Sequence, residues 1–249
     1  MNTDLNIYMA FHDNEKTIDK SIESILLQSY KNFSLILVDD ASTDNSLNSA
    51  KRWKKLDKRI SLIINNEKIG LASSLNKAIK LYPSSFIGRM DADDYALPNR
   101  LKYQMKFLKK FNSIDVIGTS IFINSKNEKN YLRLYSSHNQ IVDNSYKMMP
   151  FAHPTIIMRF DAYNSINGYR DIPKSQDLDL FYRMRENNIK FHNLKIPLLI
   201  YKTSKKNIKK IINSLKIRIF YEFNAKNYKK CILCIFYAFY EIIKFFFVR

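Results

Sequence analysis

Four apolar runs of strand length, Leu5 to Phe11, Phe33 to Val38, Arg59 to Ile64 and Phe86 to Met90, follow one another with a helix-patterned segment between each pair. Ile18, Ile22, Ile25 and Leu26 recur at helical spacing, a second helix runs from the cap-rich Ala41–Ser46 stretch to about Leu56, and a third opens at Gly70. Parallel strands cannot be joined by a tight turn and need a crossover, so this alternation predicts a parallel sheet covered by helices on both faces. The length of 249 residues suits one large α/β domain with an appendage.

Two of the strands end in acid. Phe86-Ile87-Gly88-Arg89-Met90 runs into Asp91-Ala92-Asp93-Asp94, followed by Pro98 and an amphipathic segment from Asn99. Ligands of open α/β sheets sit beyond the carboxyl ends of the strands, which aims these carboxylates at a bound molecule. Three anions this close need a cation, and oxygen-only ligands favour Mg²⁺ or Mn²⁺, which also bind substrate phosphate. The substrate is therefore expected to be phosphorylated. An acidic turn that only caps the next helix is the plainer reading. Asp39-Asp40 repeats the pattern at the end of the second strand. An ionised Asp is purely an acceptor and suits the imide N–H of uracil or a ribose hydroxyl, so Asp40 is assigned to the ligand and Asp39 to the helix cap. Arg89 could reach a diphosphate, or pair with a neighbouring Asp and fix the loop.

Ile114 to Asn124 and Tyr131 to Tyr135 read as strands, Asn139 to Lys147 as a short helix, and Pro154 to Met158 as a strand of a mixed sheet. His153 could complete a metal shell or orient an acceptor; a lone His is more often a hydrogen-bonded structural residue. Leu178, Leu180, Phe181 and Met184 form an apolar helical face with Asp177 in the first turn, where the helix terminus keeps a carboxylate ionised. The rival assignment makes Asp177 the N-cap and Asp179 the base.

From this order and spacing the chain resembles the family-2 glycosyltransferases of the GT-A fold, particularly the bacterial enzymes that build surface polysaccharides. The resemblance runs from Ile7 to about Tyr201. It rests on Ser24 to Tyr30, Val38 to Ser46, Gly70 to Asn76, Arg89 to Asp94, Pro98 to Gln104, His153-Pro154-Thr155, Gly168-Tyr169-Arg170 and Gln176 to Leu180. Gln176, Phe181 and Leu75 stand where many members carry Glu, Trp and Arg. The resemblance implies a GT-A mixed, mainly parallel sheet over residues 1–201. It implies that Asp40 contacts the nucleobase of a UDP-sugar, with Ala10, His12 and Asp13 closing on the same ring or ribose. Asp91 and Asp93 match the DxD element, the first leaning toward ribose and the second binding the metal, and Asp177 matches the catalytic base of inverting members.

Residues 202–249 depart from that fold. Between Tyr201 and Arg249 there are twelve Lys or Arg against Glu222 and Glu241, in a chain of net charge +18. Helically spaced isoleucines and an aromatic run from Cys231 to Val248, broken by Glu241 and Lys244, suggest a basic amphipathic tail lying on an anionic membrane surface or packing back on the domain. Cys231 and Cys234, the only cysteines, allow neither a disulfide framework nor a four-cysteine zinc site, and a reducing compartment is expected. Met1 to Asp4 is polar and no signal peptide is expected. The expectation is thus a cytoplasmic, peripheral glycosyltransferase acting on a saccharide or lipid-linked glycan. A nucleotidyltransferase would need a Gly-rich basic phosphate loop after the first strand, where His12-Asp13-Asn14-Glu15 stands instead. A nucleic-acid binder would need its basic residues along a groove with stacking aromatics, and here they gather in an apolar tail.

Overall fold

The computed structural model describes residues 3–125, 128–172, 174–202 and 208–247. The first half alternates as read: β1 (Leu5–Phe11), α1 (Ile18–Leu26), β2 (Phe33–Asp39), α2 (Ser46–Leu56), β3 (Ile60–Ile64), α3 (Leu71–Leu81) and β4 (Phe86–Arg89). A two-residue β5 (Tyr95–Ala96) and α4 (Arg100–Lys110) follow. Then come β6 (Val116–Ser125), β7 (Glu128–Leu132), α5 (His138–Asn144), a 3₁₀ turn (His153–Thr155), β8 (Ile157–Arg159), α6 (Phe160–Asn164), α7 (Gln176–Glu186) and β9 (Phe191–Lys202). Two helices close the chain, α8 (Ile208–Asn224) and α9 (Tyr228–Phe247).

The strands form one sheet in the order β3-β2-β1-β4-β8-β6-β9-β5, with β7 paired to β6. β1 to β4 are mutually parallel, β8 runs against β4 and β6, and β6 and β9 are parallel. The carboxyl ends of β1, β2, β4 and β9 and the amino end of β8 therefore share one edge. The sheet is mixed because the short β8 enters from the 3₁₀ turn. Pro154 has no N–H to give a ladder, so the strand expected from Pro154 begins only at Ile157. The strand expected at Tyr131 to Tyr135 instead spans Glu128–Leu132, since Leu134 N bonds Ser120 Oγ (3.2 Å) and the Tyr135 carbonyl accepts from Asn193 (2.8 Å).

The side-chain period of two splits the core into two layers. Leu5, Ile7, Met9 and Phe11 of β1 pack with α1 and α4, while Tyr8 and Ala10 face α3. Strands buried on both faces explain why these runs are continuously apolar.

The C-terminal helices fold onto the domain. Tyr221 of α8 stacks on Tyr182 of α7 at 5.0 Å, its hydroxyl donates to Asp179 Oδ1 (2.7 Å), and Glu222 pairs with Arg185 (2.5 Å). Cys231 and Cys234 are free thiols buried against α8. The outer face of α9 is unlike a globular surface: Tyr228, Ile232, Ile235, Phe236, Phe239, Tyr240 and Ile243 are all exposed, Phe236 at 69 %. Among the described residues no helix is long and apolar enough to cross a membrane. Of the basic tail residues, Lys205, Lys206 and Arg249 lie outside the described residues, as does Val248.

Candidate active site

The shared sheet edge carries four loops, and each is built by side chains that hold backbone. After β1 and β2 the chain forms two interlocked turns. Asp13 adopts a left-handed conformation (φ 53°) and its carboxylate accepts from Thr43 N at 2.8 Å, while Asn14 N bonds Ser46 Oγ (2.7 Å) and Glu15 N bonds Asp44 (3.0 Å). His12 Nδ1 donates to the Asp40 carbonyl at 2.9 Å, and Ala10 lies just inside the strand. Asp39 is buried and accepts from Ser42 N at 3.3 Å, the capping contact expected of it.

Asp40 is held more firmly than a ligand contact alone would require. Its Oδ1 accepts from Asn65 Nδ2 (3.0 Å), Ile69 N (2.9 Å) and Ser74 Oγ (3.1 Å), and its Oδ2 from Gly70 N (2.9 Å). Burial alone would raise its pKa, but these donors outweigh it and hold the carboxyl below its ordinary value. Gly70 has φ 85°, a conformation natural to glycine, and Leu71 then starts α3 on the cleft wall.

The acidic loop after β4 is clamped from three sides. Ser21 and Ser24 of α1 and Gln28, just past its end, bond the Asp94 carbonyl (2.6 Å), Ala96 N (3.1 Å), the Leu97 carbonyl (2.8 Å) and Leu101 N (3.1 Å). Arg100 is fully buried and donates to the carbonyls of Arg89 (2.7 Å) and Pro154 (2.9 Å), which fastens the loop to the 3₁₀ turn. Gln104, one turn on, reaches the Thr155 and Ile117 carbonyls (2.7 and 3.1 Å). From β9, Lys202 N donates to Asp94 Oδ1 at 2.8 Å.

Asp91, Asp93 and Asp94 present carboxylate oxygens all within 4.8 Å of one another. Burial and the charge of Asp91 raise the pKa of Asp93, and the same two causes raise that of the more deeply buried Asp94. Asp94 Oδ2 is buried without a hydrogen-bond partner among the described residues. Oxygen-only ligands that repel one another, one of them unsatisfied, fit a hard divalent cation. Of the two roles the sequence left open, pairing with a neighbouring Asp is the one the structure shows for Arg89. It is 1 % exposed, its Nη2 pairs with Asp91 Oδ1 at 2.5 Å, and its Nη1 bonds the Met90 carbonyl, so it fixes the loop. His153 stands outside the carboxylate cluster, with Nε2 hydrogen-bonded to the Tyr169 hydroxyl at 2.8 Å. Burial, with Arg89 nearby, pushes its pKa down to about 3, and the ring is neutral at pH 7.

The two acids at the start of α7 are separated by their surroundings. Asp179 is buried, paired with Arg183 (2.8 Å) and Arg170 (3.7 Å), and accepts from Tyr221. Asp177 lines a cleft of about 960 Å³ together with Asp91, His153, Leu71 and Tyr201. Burial pushes the Tyr201 pKa up, and so do the carboxylates of Asp91, Asp94, Asp177 and Asp93, so acids from the two halves of the chain surround one phenol. In the sequence Tyr169 stood only as part of the Gly168-Tyr169-Arg170 motif with no role of its own, and Tyr201 only as the end of the resemblance. Asn76 holds Tyr169 in place by accepting from its N–H (3.0 Å) and donating to its carbonyl (2.8 Å). A Cβ at the neighbouring Gly168 would come within 2.5 Å of the Tyr163 hydroxyl.

Comparison with known proteins gives a consistent answer. A profile described as Glycosyl transferase family 2 matches residues 6–166. The chain is 37 % identical over 198 residues to EpsE of Bacillus subtilis, covering 78 % of this chain and 71 % of that one. It is 34 % identical over 215 residues to the O-antigen biosynthesis glycosyltransferase WbnJ of Escherichia coli, covering 83 % and 82 %. Among solved structures, residues 1–349 of S. aureus TarS in complex with UDP-GlcNAc superpose with a TM-score of 0.75 at 15 % identity, over 99 % of this chain and 76 % of that one. That likeness speaks to the fold alone.

Proposed function

The chain belongs to the family-2 glycosyltransferases, and from that membership we propose that it transfers a sugar from a UDP-sugar to a saccharide acceptor with inversion at the anomeric carbon. The observation that carries this reading is the convergence of Asp91 and Asp177, 86 positions apart in the chain, on one cleft beside Tyr201.

The interlocked loops of Ala10, His12, Asp13 and Asp40 receive the nucleoside. Asp40 Oδ2 accepts a single internal hydrogen bond and keeps capacity for the uracil imide. Asp91 and Asp93 would hold a divalent cation, Mg²⁺ or Mn²⁺, and that ion would supply Lewis-acid stabilisation to the departing diphosphate. His153, neutral and bonded to Tyr169, borders this place and orients the acceptor. Asp177 accepts the proton of the acceptor hydroxyl as its oxygen bonds to the anomeric carbon and the bond from that carbon to the diphosphate oxygen breaks. A single displacement inverts the configuration, and a water-excluding cleft favours the alcohol over hydrolysis.

The relative named for O-antigen biosynthesis supports placing the reaction in the assembly of a bacterial surface polysaccharide, and the Escherichia coli relative WfgD, whose name gives a GlcNAc-diphosphoundecaprenol substrate, supports a lipid-linked acceptor. The exposed apolar face of α9 supports a peripheral site of action on the inner face of the cell membrane.

A panel of nucleotide-sugars with Mn²⁺ or Mg²⁺, followed by thermal unfolding, tests the donor. A UDP-sugar with metal should raise the melting temperature by mass action, and an unmoved transition across the whole panel would remove the donor assignment. Asp93→Asn should lose the metal-dependent part of that shift and nearly all transfer while keeping the unliganded transition.

A further inference from the structure

One ring nitrogen of His153 is engaged and the other is not. Nε2 lies 2.8 Å from the Tyr169 hydroxyl, and the two rings meet edge to face at 5.6 Å. Nδ1 has no hydrogen-bond partner among the described residues, yet it is not sealed off, because the ring is only partly buried and lines the cleft with Asp91, Asp177 and Tyr201. Each member of the pair is held by its own helix. Arg100 and Gln104 of α4 donate to the Pro154 and Thr155 carbonyls (2.9 and 2.7 Å), which fixes the turn that carries His153. Asn76 of α3 bonds both the N–H and the carbonyl of Tyr169, and it also accepts from the Tyr163 hydroxyl at 2.6 Å. Two separate helices thus set where hydroxyl and ring meet.

A phenol has one proton to donate, and a neutral imidazole has one nitrogen that donates and one that accepts. Tyr169 is 4 % exposed and does not line the cleft, and among the described residues its hydroxyl meets no group but His153. If Nε2 carried the ring's hydrogen, the phenol's own proton would be buried with nothing to receive it, and its desolvation would go uncompensated. The hydroxyl therefore donates to Nε2, and the ring's hydrogen stands on Nδ1, open to the cleft. Burial raises the pKa of Tyr169 and lowers that of His153, which keeps the proton on the phenol and the ring neutral. A ring nitrogen that bears hydrogen has no lone pair in the ring plane. It can neither ligate a cation nor take a proton, and it acts only as a donor.

We propose that Tyr169 is a positioning residue that holds His153 as a hydrogen-bond donor, and that His153 uses its Nδ1–H to recognise an oxygen of the acceptor sugar other than the attacking one. A donor placed on the attacking oxygen would draw off the electron pair that must form the new bond, and that hydroxyl is the one assigned to Asp177. A neighbouring ring or hydroxyl oxygen accepts without that penalty. The contact then selects which hydroxyl of the sugar is turned toward the donor, so His153 determines acceptor specificity. The proposal rests on the glycosyltransferase reading above and gives each hydrogen bond of the pair its direction. Tyr169 touches no substrate, and its effect is carried by the tautomer of His153.

The test uses the full chain labelled with ¹⁵N in its four histidines, for which two-bond ¹H–¹⁵N spectra at pH 7 separate a ring nitrogen that carries hydrogen from one that does not. The signals of His153 are those missing from His153→Asn. In wild type Nδ1 should carry the hydrogen. In Tyr169→Phe, which deletes only the hydroxyl, both tautomers should be populated. GlcNAc joined through diphosphate to farnesol serves as the acceptor probe, titrated in the presence of UDP and Mg²⁺. His153→Ala should weaken its binding by about tenfold and Tyr169→Phe by about threefold, the range of one neutral hydrogen bond. His153→Asn, whose amide nitrogen can stand in for Nδ1, should recover part of the His153→Ala loss. Hydrogen on Nε2 in wild type would overturn the proposal, as would a tautomer unmoved in Tyr169→Phe or probe binding by His153→Asn no better than by His153→Ala. Transfer of the hydrogen to Nε2 on adding Mg²⁺ would overturn it in favour of a metal ligand. The wild-type spectrum needs no variant and decides the direction of the bond if Tyr169→Phe fails to fold. Failure of wild type to bind the probe would overturn the acceptor contact, while the tautomer is read without any ligand. UDP binding, measured in parallel, separates that result from a failure of the glycosyltransferase reading itself.

Discussion

Asp177 and Asp179 stand two positions apart and behave as different chemical species. Asp179 anchors two arginines and a tyrosine inside the protein, whereas Asp177 opens on the cleft. Asp177→Asn should therefore lower turnover by roughly 10²- to 10⁴-fold, the usual contribution of a general base. UDP-sugar affinity and melting temperature should be unchanged; turnover near wild type would remove the assignment. Asp179→Ala should instead cost about 3–5 kcal/mol of stability, because it leaves the buried Arg183 uncompensated, read by urea unfolding. Asp40 makes the pH prediction. Its folded pKa lies below the unfolded value of about 3.9, so the unfolded chain binds the extra proton. The stability from this group is complete above that value and is lost as pH falls through the folded pKa. Melting temperatures measured from pH 7 to pH 3 should fall less steeply in Asp40→Asn than in wild type at the acid end.

At the scale of elements, α1 and the turn that follows it show what a sequence can and cannot disclose. Ser21, Ser24 and Gln28 recur at helical spacing, yet none faces solvent. Their partners lie about 70 positions away in the acidic loop, and nothing local announces them. Gln28→Ala should cost about 1–3 kcal/mol, since it strands the Leu97 carbonyl and Leu101 N–H; an unchanged denaturation midpoint would contradict the clamp. The βα alternation was legible because period and length are local properties. The acid-tipped strands could be located for the same reason, and the topology then gathers their ends on one edge. The turn at Pro154 and the hairpin ending before Leu134 were less legible, because they are decided by which distant groups accept or withhold hydrogen bonds. Arg89 illustrates the limit: one residue offered two roles, and only the packing of Asp91 against it separates them. Tyr201 was invisible as a cleft residue, since its importance comes from what is packed around it.

For the molecule as a whole, the net charge of +18 and the apolar stripe on α9 act together. A contiguous exposed apolar surface marks an interaction site, and basic residues near it attract anionic lipid. The protein should float with phosphatidylglycerol vesicles, less with phosphatidylcholine, and less at high salt. Exchanging both Phe236 and Phe239 for Ser should reduce partitioning by roughly ten- to a hundredfold per phenylalanine, taking about 1.5–3 kcal/mol for each buried ring. Undiminished flotation of the double variant would exclude this face. The eleven residues of α7 bear Asp177, the proposed proton acceptor, at their first turn and the anchorage of the C-terminal hairpin, through Tyr182 and Arg185, further along. A bilayer tugging on that hairpin would be felt, through one stiff rod, at the reacting alcohol. Detachment of the tail would then register as a misaimed base and a stalled catalyst, beyond any loss of mooring.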